Sequence, residues 1–495
     1  MMNDQPKTEA GVYGGIALVG LGSGNLTDLA AEARQLLAEA DEVWVRQGRH
    51  PALRVLSKDC AVRSLLSDPQ IGGGIPGAAA RLVELGRRPE GVTYAVPGSP
   101  LLGDAVCRVV ATLADEKEIP LKILSCVSGV EQALEAVGAG PAASLALVDA
   151  LEIAGLHVPS FVPGVPALIS GVTSASIASR VSEVMMTLYP AQHEVVLITP
   201  MDESGWLPQS ACLKDVSAAE TSHAFNLGTM LFIPPLAQDA GFESFQEIVA
   251  HLRAPDGCPW DREQTHQTLR QHLLEETYEA LEALDANDMT DLCEELGDLL
   301  LQVVLHAQIA GESGNFTMVD ILQGINRKLV YRHPHVFGSL DVEDVDGVLR
   351  NWEALKSAER QKDERKKKKG LLDGVPTTFP ALAQAEEIQG RVARVGFDWP
   401  DISGVWEKLY EEIAEVRSAP DEQARAAELG DLLFSVVNLA RWYNVEPESV
   451  LRATNLRFRT RFAHIEKRVR RQGLDMSSMT LEQLDEYWEE AKREG

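Results

Sequence analysis

The chain has 495 residues, 45% hydrophobic and 24% charged, which is typical of a globular protein with about two to four domains. Its 74 acidic and 46 basic residues give a net charge of −28, which argues against a broad nucleic-acid or anionic-membrane surface. The six cysteines form no CxxC pair, and neither a secretory leader nor an apolar run of about 18 residues is visible, so we expect a cytoplasmic protein in a reducing compartment.

The first half of the chain alternates short apolar runs with helical stretches. It begins with IALVGLG, LTDLAAEARQLLAEA and EVWVR, and continues later with VTYAVPG and EVVLITP. The segment LGTMLFIPPL at 227–236 is a candidate for the last strand. This alternation predicts an α/β domain with a largely parallel sheet over residues 1–240.

Three loops in this half each follow a predicted strand and open a predicted helix. The first, GLGSGNLTDL, contains Gly20, Gly22 and Gly24, and glycines let the backbone approach a ligand closely at a helix start. For this loop alone, a tight structural turn is an equal alternative. The other two loops are YAVPGSPLLGDA and SCVSGVEQAL. Three such loops at strand ends together indicate a ligand crevice.

The segments GLGSG, RQGRHP and YAVPGSP resemble the tetrapyrrole methylase family over about residues 14–236. The resemblance implies two α/β subdomains with S-adenosylmethionine bound between them, in loops that also include Gly98, Pro100 and Ser128. The first loop is shorter than the usual proline-containing form, and Ser99 stands where many active methylases have Asp. The resemblance therefore implies cofactor binding, and it leaves methyl transfer and the methyl acceptor open.

After residue 240 the pattern changes to long amphipathic helices that contain an internal repeat. Four segments recur in the same order: EETYE at 275–279 and EEIAE at 411–415, EELGDLLLQVV at 294–304 and AELGDLLFSVV at 427–437, NRKLVYRHPH at 326–335 and NLRFRTRFAH at 455–464, and WEALK at 352–356 and WEEAK at 488–492. We therefore predict two all-helical domains, 241–370 and 371–495. The charged stretch 359–370 is interpreted as a linker, and its lysine run 366–369 as solvated, with phosphate contact as the alternative.

Each repeat places four carboxylates on two neighbouring helices. The spacing of three within each pair and the short DANDMT connection predict that all four converge. The residues are Glu276, Glu279, Glu295 and Asp298 in the first repeat, and Glu412, Glu415, Glu428 and Asp431 in the second. No basic residue within 275–300 offsets these charges, so a bound cation is favoured over a solvated acidic face. Oxygen ligands suit Mg²⁺, Mn²⁺ or Ca²⁺.

Basic and aromatic residues also recur at matching positions of the repeats. They are Lys328 and Arg332, Arg457 and Arg461, and Trp352 and Trp488. The basic pairs lie four residues apart on one helix face and either hold phosphate oxygens or make surface ion pairs. The tryptophans either stack on a nucleobase or pack in the fold.

The pattern EExxE…ExxD, with DGCPWD, HPHVFG and NxRFxxRF, resembles the MazG family of nucleoside triphosphate pyrophosphohydrolases over about residues 243–495. The resemblance implies an all-α, Mg²⁺-dependent homodimer that hydrolyses nucleoside triphosphates to a monophosphate and pyrophosphate. It implies metal ligands at the four carboxylates of the second repeat and phosphate contacts from Lys408, Arg457 and Arg461. His272 replaces Lys408 in the first repeat, so catalysis is assigned to Lys408 and the second-repeat carboxylates.

Three hypotheses about function follow from the sequence. The leading one is a pyrophosphohydrolase of nucleoside triphosphates fused to a methylase-like domain, with Mg²⁺ as its metal and no nucleic-acid or membrane partner. The alternative is an S-adenosylmethionine-dependent methyltransferase whose helical half serves dimerisation or nucleotide sensing. The third is a non-catalytic sensor of nucleotides or S-adenosylmethionine. Metal-dependent release of pyrophosphate separates the first from the others.

Overall fold

The computed structural model of the chain describes residues 14–48, 50–68, 74–141, 143–201, 205–218, 225–236, 240–342, 344–362 and 370–494. The chain forms two compact units, residues 1–263 and 264–495. The first contains two five-stranded sheets, and the described part of the second is helical. The α/β and all-α fold classes expected from the sequence are therefore confirmed, whereas domain boundaries at 240 and 370 stay predictions.

In the first unit most strands up to β10 are followed by helices, and two helices follow β10. The strands are β1 Ile16–Gly20, β2 Glu42–Val45, β3 Ala61–Ser64, β4 Val92–Val96, β5 Leu121–Leu124, β6 Ala146–Asp149, β7 Ala167–Ser170, β8 Glu194–Met201, β9 Gly205–Cys212 and β10 Met230–Ile233. The helices are α1 Ala31–Glu39, α2 Gly74–Leu85, α3 Ala105–Glu116, α4 Val130–Ala136, α5 Ala150–Ala154, α6 Ala175–Met185, α7 Phe242–Arg253 and α8 Pro259–Glu263.

The first sheet is parallel throughout, with strand order β3-β2-β4-β1-β5. Successive side chains of a strand point to opposite faces, and both faces of this sheet are covered by helices. Ile16 and Leu18 of β1 lie in a core with α2 and α3, whereas Ala17 and Val19 lie in a second core with α1. The continuous apolar run of β1 thus reflects burial on both faces.

The second sheet, with order β6-β7-β10-β8-β9, is mostly antiparallel, so the expectation of a largely parallel sheet is wrong for it. Only β6 and β7 pair in parallel, and β10 enters antiparallel between β7 and β8. The hairpin β8–β9 pairs over its full length, from Glu194 with Cys212 to Met201 with Gly205. Antiparallel strands need only a short connection, and only residues 202–204 separate these two strands.

A buried ion network joins the two sheets of the first unit. Arg46, 2% exposed, follows β2 and donates to Asp149 at 2.9 Å and to Asp104 at 2.8 Å. Asp104 caps α3 through the amide of Cys107, and Asp149 caps α5 through the amide of Leu151. Burial raises the pKa of Asp104, and the charge of Arg46 opposes that rise. Because an unpaired buried charge is strongly destabilising, these three residues fix the two sheets together.

The second unit repeats one helical pattern. Its helices are α9 Leu269–Ala286, α10 Met289–Glu312, α11 Met318–Arg332, α12 Pro334–Phe337, α13 Val345–Lys362, α14 Ala381–Ala393, α15 Ile402–Ser418, α16 Glu422–Trp442, α17 Pro447–Arg471 and α18 Leu481–Glu494. The four repeated sequence segments fall on α9, α10, α11 and α13, and again on α15, α16, α17 and α18. This agrees with the predicted duplication.

Residues 359–362 of the predicted linker belong to α13, which ends at Lys362, so the prediction is wrong for these four residues. Residues 363–369, which include the lysine run, lie outside the described residues. Within the ranges that the structure describes, we find no helix with the length and apolarity needed to cross a membrane.

Candidate metal centre and active site

Two capped helices build the site of the second repeat. Asp401 caps α15 by accepting from the amide of Ser403 at 2.9 Å, and Asp421 caps α16 by accepting from the amide of Ala424 at 2.8 Å. Only residues 419–421 separate the two helices, so they run antiparallel side by side. Carboxylates on the facing sides of α15 and α16 can therefore meet.

Three carboxylates of this helix pair converge as a potential metal centre. Glu412, Glu428 and Asp431 each offer one oxygen, and these oxygens lie within 4.8 Å of one another. Glu412 is only 3% exposed, and its Oε2 is buried without a hydrogen-bond partner among the described residues. Leaving a buried acceptor unpaired costs about 1–3 kcal/mol. A hard divalent cation with oxygen ligands would satisfy that atom, so the residues fit Mg²⁺.

Lys408 and Glu415 flank the converging carboxylates. The ammonium of Lys408 lies 2.8 Å from Oε1 of Glu412 and 2.9 Å from Oε1 of Glu411, and these hydrogen bonds raise the pKa of Lys408. Desolvation by the surroundings, followed by the charges of Glu428 and Glu412, raises the pKa of Glu415. Glu415 therefore lies near the three converging residues without belonging to the set within 4.8 Å.

A cavity of about 580 Å³ extends from this site, with Glu412, Asp431 and Lys408 in its wall. Its other lining residues include Gln389, Trp399, Phe434, Asn438 and Arg441. None of these five was identified from the sequence. Helical spacing from Asp431 could have found Phe434 and Asn438, which lie one and two turns further along α16. No sequence signal marked Gln389, because it lies on α14, outside the repeated segments.

The predicted phosphate-binding residues of α17 lie outside the described lining of this cavity. The guanidinium of Arg461 lies 5.7 Å from the ring centroid of Trp488, and that of Arg332 lies 5.4 Å from Trp352. The same Arg–Trp pair thus recurs in both repeats, on α17 and α18 and on α11 and α13. Arg457 donates to Thr454 at 2.8 Å. Nucleotide binding by Arg457, Arg461, Trp488, Lys328 and Arg332 stays a prediction.

The first repeat carries a similar carboxylate cluster without a lysine. Oxygens of Glu276, Glu295 and Asp298 lie within 4.8 Å of one another, and all three residues are half-buried. Desolvation, followed by the charges of Asp298, Glu279 and Glu295, raises the pKa of Glu276. Nδ1 of His272 lies 3.2 Å from Oε2 of Glu275, whereas Lys408 reaches the buried Glu412.

In the first unit, the three predicted cofactor loops meet around Gly20. A Cβ atom at Gly20 would lie 2.7 Å from Sγ of Cys126, 2.7 Å from the carbonyl oxygen of Gly98 and 2.9 Å from Cδ of Pro100. The amide of Gly98 donates to the carbonyl oxygen of Gly22 at 3.2 Å. Only glycine at position 20 permits this approach of the loops.

The remaining predicted cofactor residues lie at the margins of these loops. The Ser128 hydroxyl accepts from the amide of Val130 at 3.2 Å, at the start of α4. A Cβ atom at Gly24, whose φ is +105°, would lie 3.1 Å from Pro51. The structure therefore brings Gly20, Gly22, Gly98 and Pro100 together, with Ser128 and Gly24 beside them.

His50 is a buried residue of the same region that the sequence did not single out. It is 4% exposed, and its Nδ1 accepts from the amide of Ala52 at 3.3 Å. Burial lowers its pKa from 6.5 to about 4, against the effect of a hydrogen bond with the backbone of Gly22. The RQGRHP segment is thus tied to the first glycine loop through a neutral imidazole.

Two family models match the chain. Residues 15–199 match the Tetrapyrrole (Corrin/Porphyrin) Methylases, and residues 264–337 match the MazG nucleotide pyrophosphohydrolase domain. Among solved structures, the uroporphyrin-III-C-methyltransferase from Thermus thermophilus is 18% identical and covers 45% of this chain and 92% of its own, with a TM-score of 0.31.

Known proteins resemble both the whole chain and its second half. Uncharacterized protein YabN of Bacillus subtilis (strain 168) is 38% identical over 494 residues, covering 97% of this chain and 98% of that protein. The nucleoside triphosphate pyrophosphohydrolase/pyrophosphatase MazG of Thermotoga maritima is 46% identical over 252 residues, covering 51% of this chain and 95% of that enzyme. The nucleoside triphosphate pyrophosphohydrolase of Escherichia coli (strain K12) is 46% identical over 253 residues, with 50% and 95% coverage.

Proposed function

The chain belongs to the family of proteins that join a tetrapyrrole methylase domain to a MazG pyrophosphohydrolase region, and we propose that its second helical repeat is a Mg²⁺-dependent nucleoside triphosphate pyrophosphohydrolase. The reaction would cleave between the α and β phosphates. The observation that carries the proposal is the buried Glu412, which has an unpaired Oε2 and belongs to a cluster of three converging carboxylates.

The geometry of the site supports the following roles for its residues. Glu412, Glu428 and Asp431 would hold Mg²⁺, which supplies positive charge for the phosphate oxygens and activates water. Lys408 holds Glu412 in position by donating to Oε1 and adds a positive charge at the same end of the cavity. The raised pKa of Glu415 suits that carboxylate to accept the proton of the attacking water.

The bond changes of the proposed reaction balance without a further reactant. Water attacks the α phosphorus, and the bond from that phosphorus to the bridging oxygen breaks. Pyrophosphate leaves with the bridging oxygen, and the nucleoside monophosphate gains the oxygen of water. The second repeat is favoured over the first because Lys408 reaches its buried carboxylate, where the first repeat has His272 beside Glu275.

Hydrolysis of ATP in ¹⁸O-water with Mg²⁺ tests this proposal directly. The label should appear in AMP, unlabelled pyrophosphate should be released in equal amount, and EDTA should stop the reaction. Label in pyrophosphate would indicate attack at the β phosphorus. Products of ADP and inorganic phosphate would contradict the proposed cleavage, as would undiminished hydrolysis in EDTA.

A second proposed activity belongs to the first unit, where the three loops that meet at Gly20 favour a binding site for S-adenosylmethionine. The carbonyl of Gly22 and the amide of Gly98 pair across two of these loops, which keeps their backbones in register. Calorimetric titration of the full chain with S-adenosylmethionine should give saturable heat. If no heat of binding is measured, the first unit has the fold of the methylases but does not bind S-adenosylmethionine.

We also propose that the chain forms a homodimer through its helical unit. Several large apolar side chains of α16 and α17 are exposed in one chain: Leu429 at 45%, Leu433 at 59%, Leu456 at 43% and Phe458 at 56%. Side chains of this kind on adjacent helices are typical of protein–protein contacts. Light scattering should give twice the chain mass, and a monomer at all concentrations would contradict the proposal.

A further inference from the structure

The cavity of the second repeat has a length suited to part of a nucleotide. Asp431 and Asn438 both line it and are seven residues apart on α16. At 1.5 Å per residue, Asn438 lies about 10 Å along the helix axis from the carboxylate end. The ribose and the base of a nucleotide together span such a distance from the α phosphate. A triphosphate whose α phosphate lies at the carboxylates would therefore place its base near Asn438.

Gln389 offers an unpaired acceptor in the wall of this cavity. The residue is 5% exposed, and its Nε2 donates to the carbonyl oxygen of Phe434 at 2.8 Å. Because a carbonyl oxygen only accepts, this bond fixes which end of the amide is which. Oε1 is then left buried with no hydrogen-bond partner among the described residues. Buried acceptors of this kind are rare in native proteins and call for a ligand or water.

Asn438 supplies the complementary group. Its Oδ1 accepts from the guanidinium of Arg441 at 2.8 Å, and Arg441 in turn pairs with Asp398 at 2.6 Å. The Arg441–Asp398 ion pair thus orients the side-chain amide of Asn438 and leaves its Nδ2 as a donor. Trp399 and Phe434 line the same cavity, and each is 43% exposed. Rings and oriented amides are the groups that bind nucleobases by stacking and by edge hydrogen bonds.

We propose that Gln389 determines base specificity: its Oε1 accepts a hydrogen bond from an N–H group on the edge of the substrate base. Asn438 donates from Nδ2 to a neighbouring acceptor of the same edge. The substrate class is then nucleoside triphosphates whose base carries an N–H donor, either an exocyclic amino group or a ring N–H. This inference rests on the proposed function of the second repeat.

The test compares three purine triphosphates on the full chain with Mg²⁺. ATP carries an exocyclic amino group, ITP carries a ring N–H, and purine riboside triphosphate has neither on its base. We expect kcat/KM to be about tenfold higher for at least one of the first two than for purine riboside triphosphate, which is the ratio that one lost hydrogen bond gives. The better of ATP and ITP identifies which donor is bound.

In the Gln389→Met variant, kcat/KM for the preferred substrate should come within about twofold of the value for purine riboside triphosphate. The change should come mainly from slower hydrolysis of the preferred substrate. Gln302→Met is the matched control, because Gln302 on α10 is also 5% exposed with an unpaired Oε1, but lies in the first repeat. It should keep the wild-type ratio. An unchanged ratio in Gln389→Met, or a wild type indifferent to the three bases, would overturn the inference.

Failure of the proposed function gives a different result. If the wild type hydrolyses none of the triphosphates, the same comparison is made on binding, by calorimetry with Ca²⁺. Tighter binding of ATP or ITP than of purine riboside triphosphate, lost in Gln389→Met but kept in Gln302→Met, still supports the inference. Equal affinities in all three proteins would overturn it.

Discussion

Lys408 donates from Nζ to Oε1 of Glu412 at 2.8 Å, while Oε2 of the same carboxylate has no hydrogen-bond partner among the described residues. The two residues lie one turn apart on α15, so a single helix sets the orientation of the carboxylate. One oxygen is held by the protein, and the other is available to a cation. The corresponding His272 of the first repeat pairs with Glu275 instead.

Replacing Lys408 by the residue of the first repeat should lower the proposed hydrolytic activity. In Lys408→His the shorter, mostly neutral imidazole cannot hold Glu412 as the ammonium does. We expect kcat/KM for ATP to fall about tenfold and more Mg²⁺ to be needed for half-maximal rate. The reciprocal variant His272→Lys should stay within about twofold of the wild type. Full activity in Lys408→His would show that Lys408 has no role in the proposed reaction.

Mg²⁺ should stabilise the helical unit more at neutral than at acidic pH. The pKa values of Glu276 and Glu415 are raised, so the folded state binds their protons more tightly than the unfolded state does. The contribution of these two carboxyl groups to stability is therefore largest below their pKa values and is lost as the pH rises through them. A bound cation offsets the repulsion of the ionised groups, contributing about 2.7 kcal/mol at a hundredfold excess over Kd.

Thermal unfolding followed by circular dichroism measures this effect. The apparent Tm should rise on adding Mg²⁺ at neutral pH, and the rise should shrink in mildly acidic buffer. K⁺ at equal ionic strength serves as the control for general screening. A rise that is the same at both pH values, or that K⁺ reproduces, would contradict a specific carboxylate site.

Acid should destabilise the first unit, because protonation of His50 favours the unfolded chain. The folded pKa of about 4 lies below the ordinary value of 6.5, so the unfolded chain takes up the proton first. The contribution of His50 to the free energy of unfolding is fully present above pH 6.5 and is lost as the pH falls toward 4. The total loss is about 3 kcal/mol. Hydrogen exchange of β1 and β2 in the full chain should accelerate over this range. His50→Gln, which takes up no proton, should remove that part of the pH dependence; an unchanged pH dependence would contradict the role of His50.

A methyl group at Gly20 should weaken binding of S-adenosylmethionine. In Gly20→Ala the new Cβ would meet Cys126, Gly98 and Pro100 at less than 3.0 Å, which forces the three loops apart. Calorimetry should show at least a tenfold loss of affinity, equal to about 1.4 kcal/mol. Gly140→Ala is the control, because Gly140 is exposed with no atom within 4 Å of the added Cβ. Unchanged affinity in Gly20→Ala would show that these loops do not form the binding site of S-adenosylmethionine.

The sequence predicted those parts of the fold and site that depend on local spacing. The carboxylates of Glu412 and Asp431 could be placed together because helical periodicity and a short connection fix the geometry of α15 and α16. The loop around Gly20 could be placed at a strand end because an apolar run precedes it and a helical pattern follows. In both cases, neighbouring residues carry all the information that the prediction needs.

The parts that were missed depend on contacts between distant segments. The pairing of Arg46 with Asp149 joins residues 103 apart in the chain, and although Arg46 begins the RQGRHP segment, no local pattern indicates Asp149 as its partner. Gln389 acquires its orientation from the carbonyl of Phe434, 45 residues later, on another helix. The antiparallel course of the second sheet is likewise decided by which strands meet, since a short apolar run fits either direction.

The most direct test of the central proposal is Mg²⁺-dependent pyrophosphate release from ATP by the wild type and by two matched variants, Glu412→Gln and Glu276→Gln. Each variant removes one charge from the carboxylate cluster of one repeat. We predict that Glu412→Gln loses activity by about 100-fold or more while Glu276→Gln stays within about threefold of the wild type. Equal rates in the wild type and Glu412→Gln would contradict the account, and selective loss in Glu276→Gln would move catalysis to the first repeat.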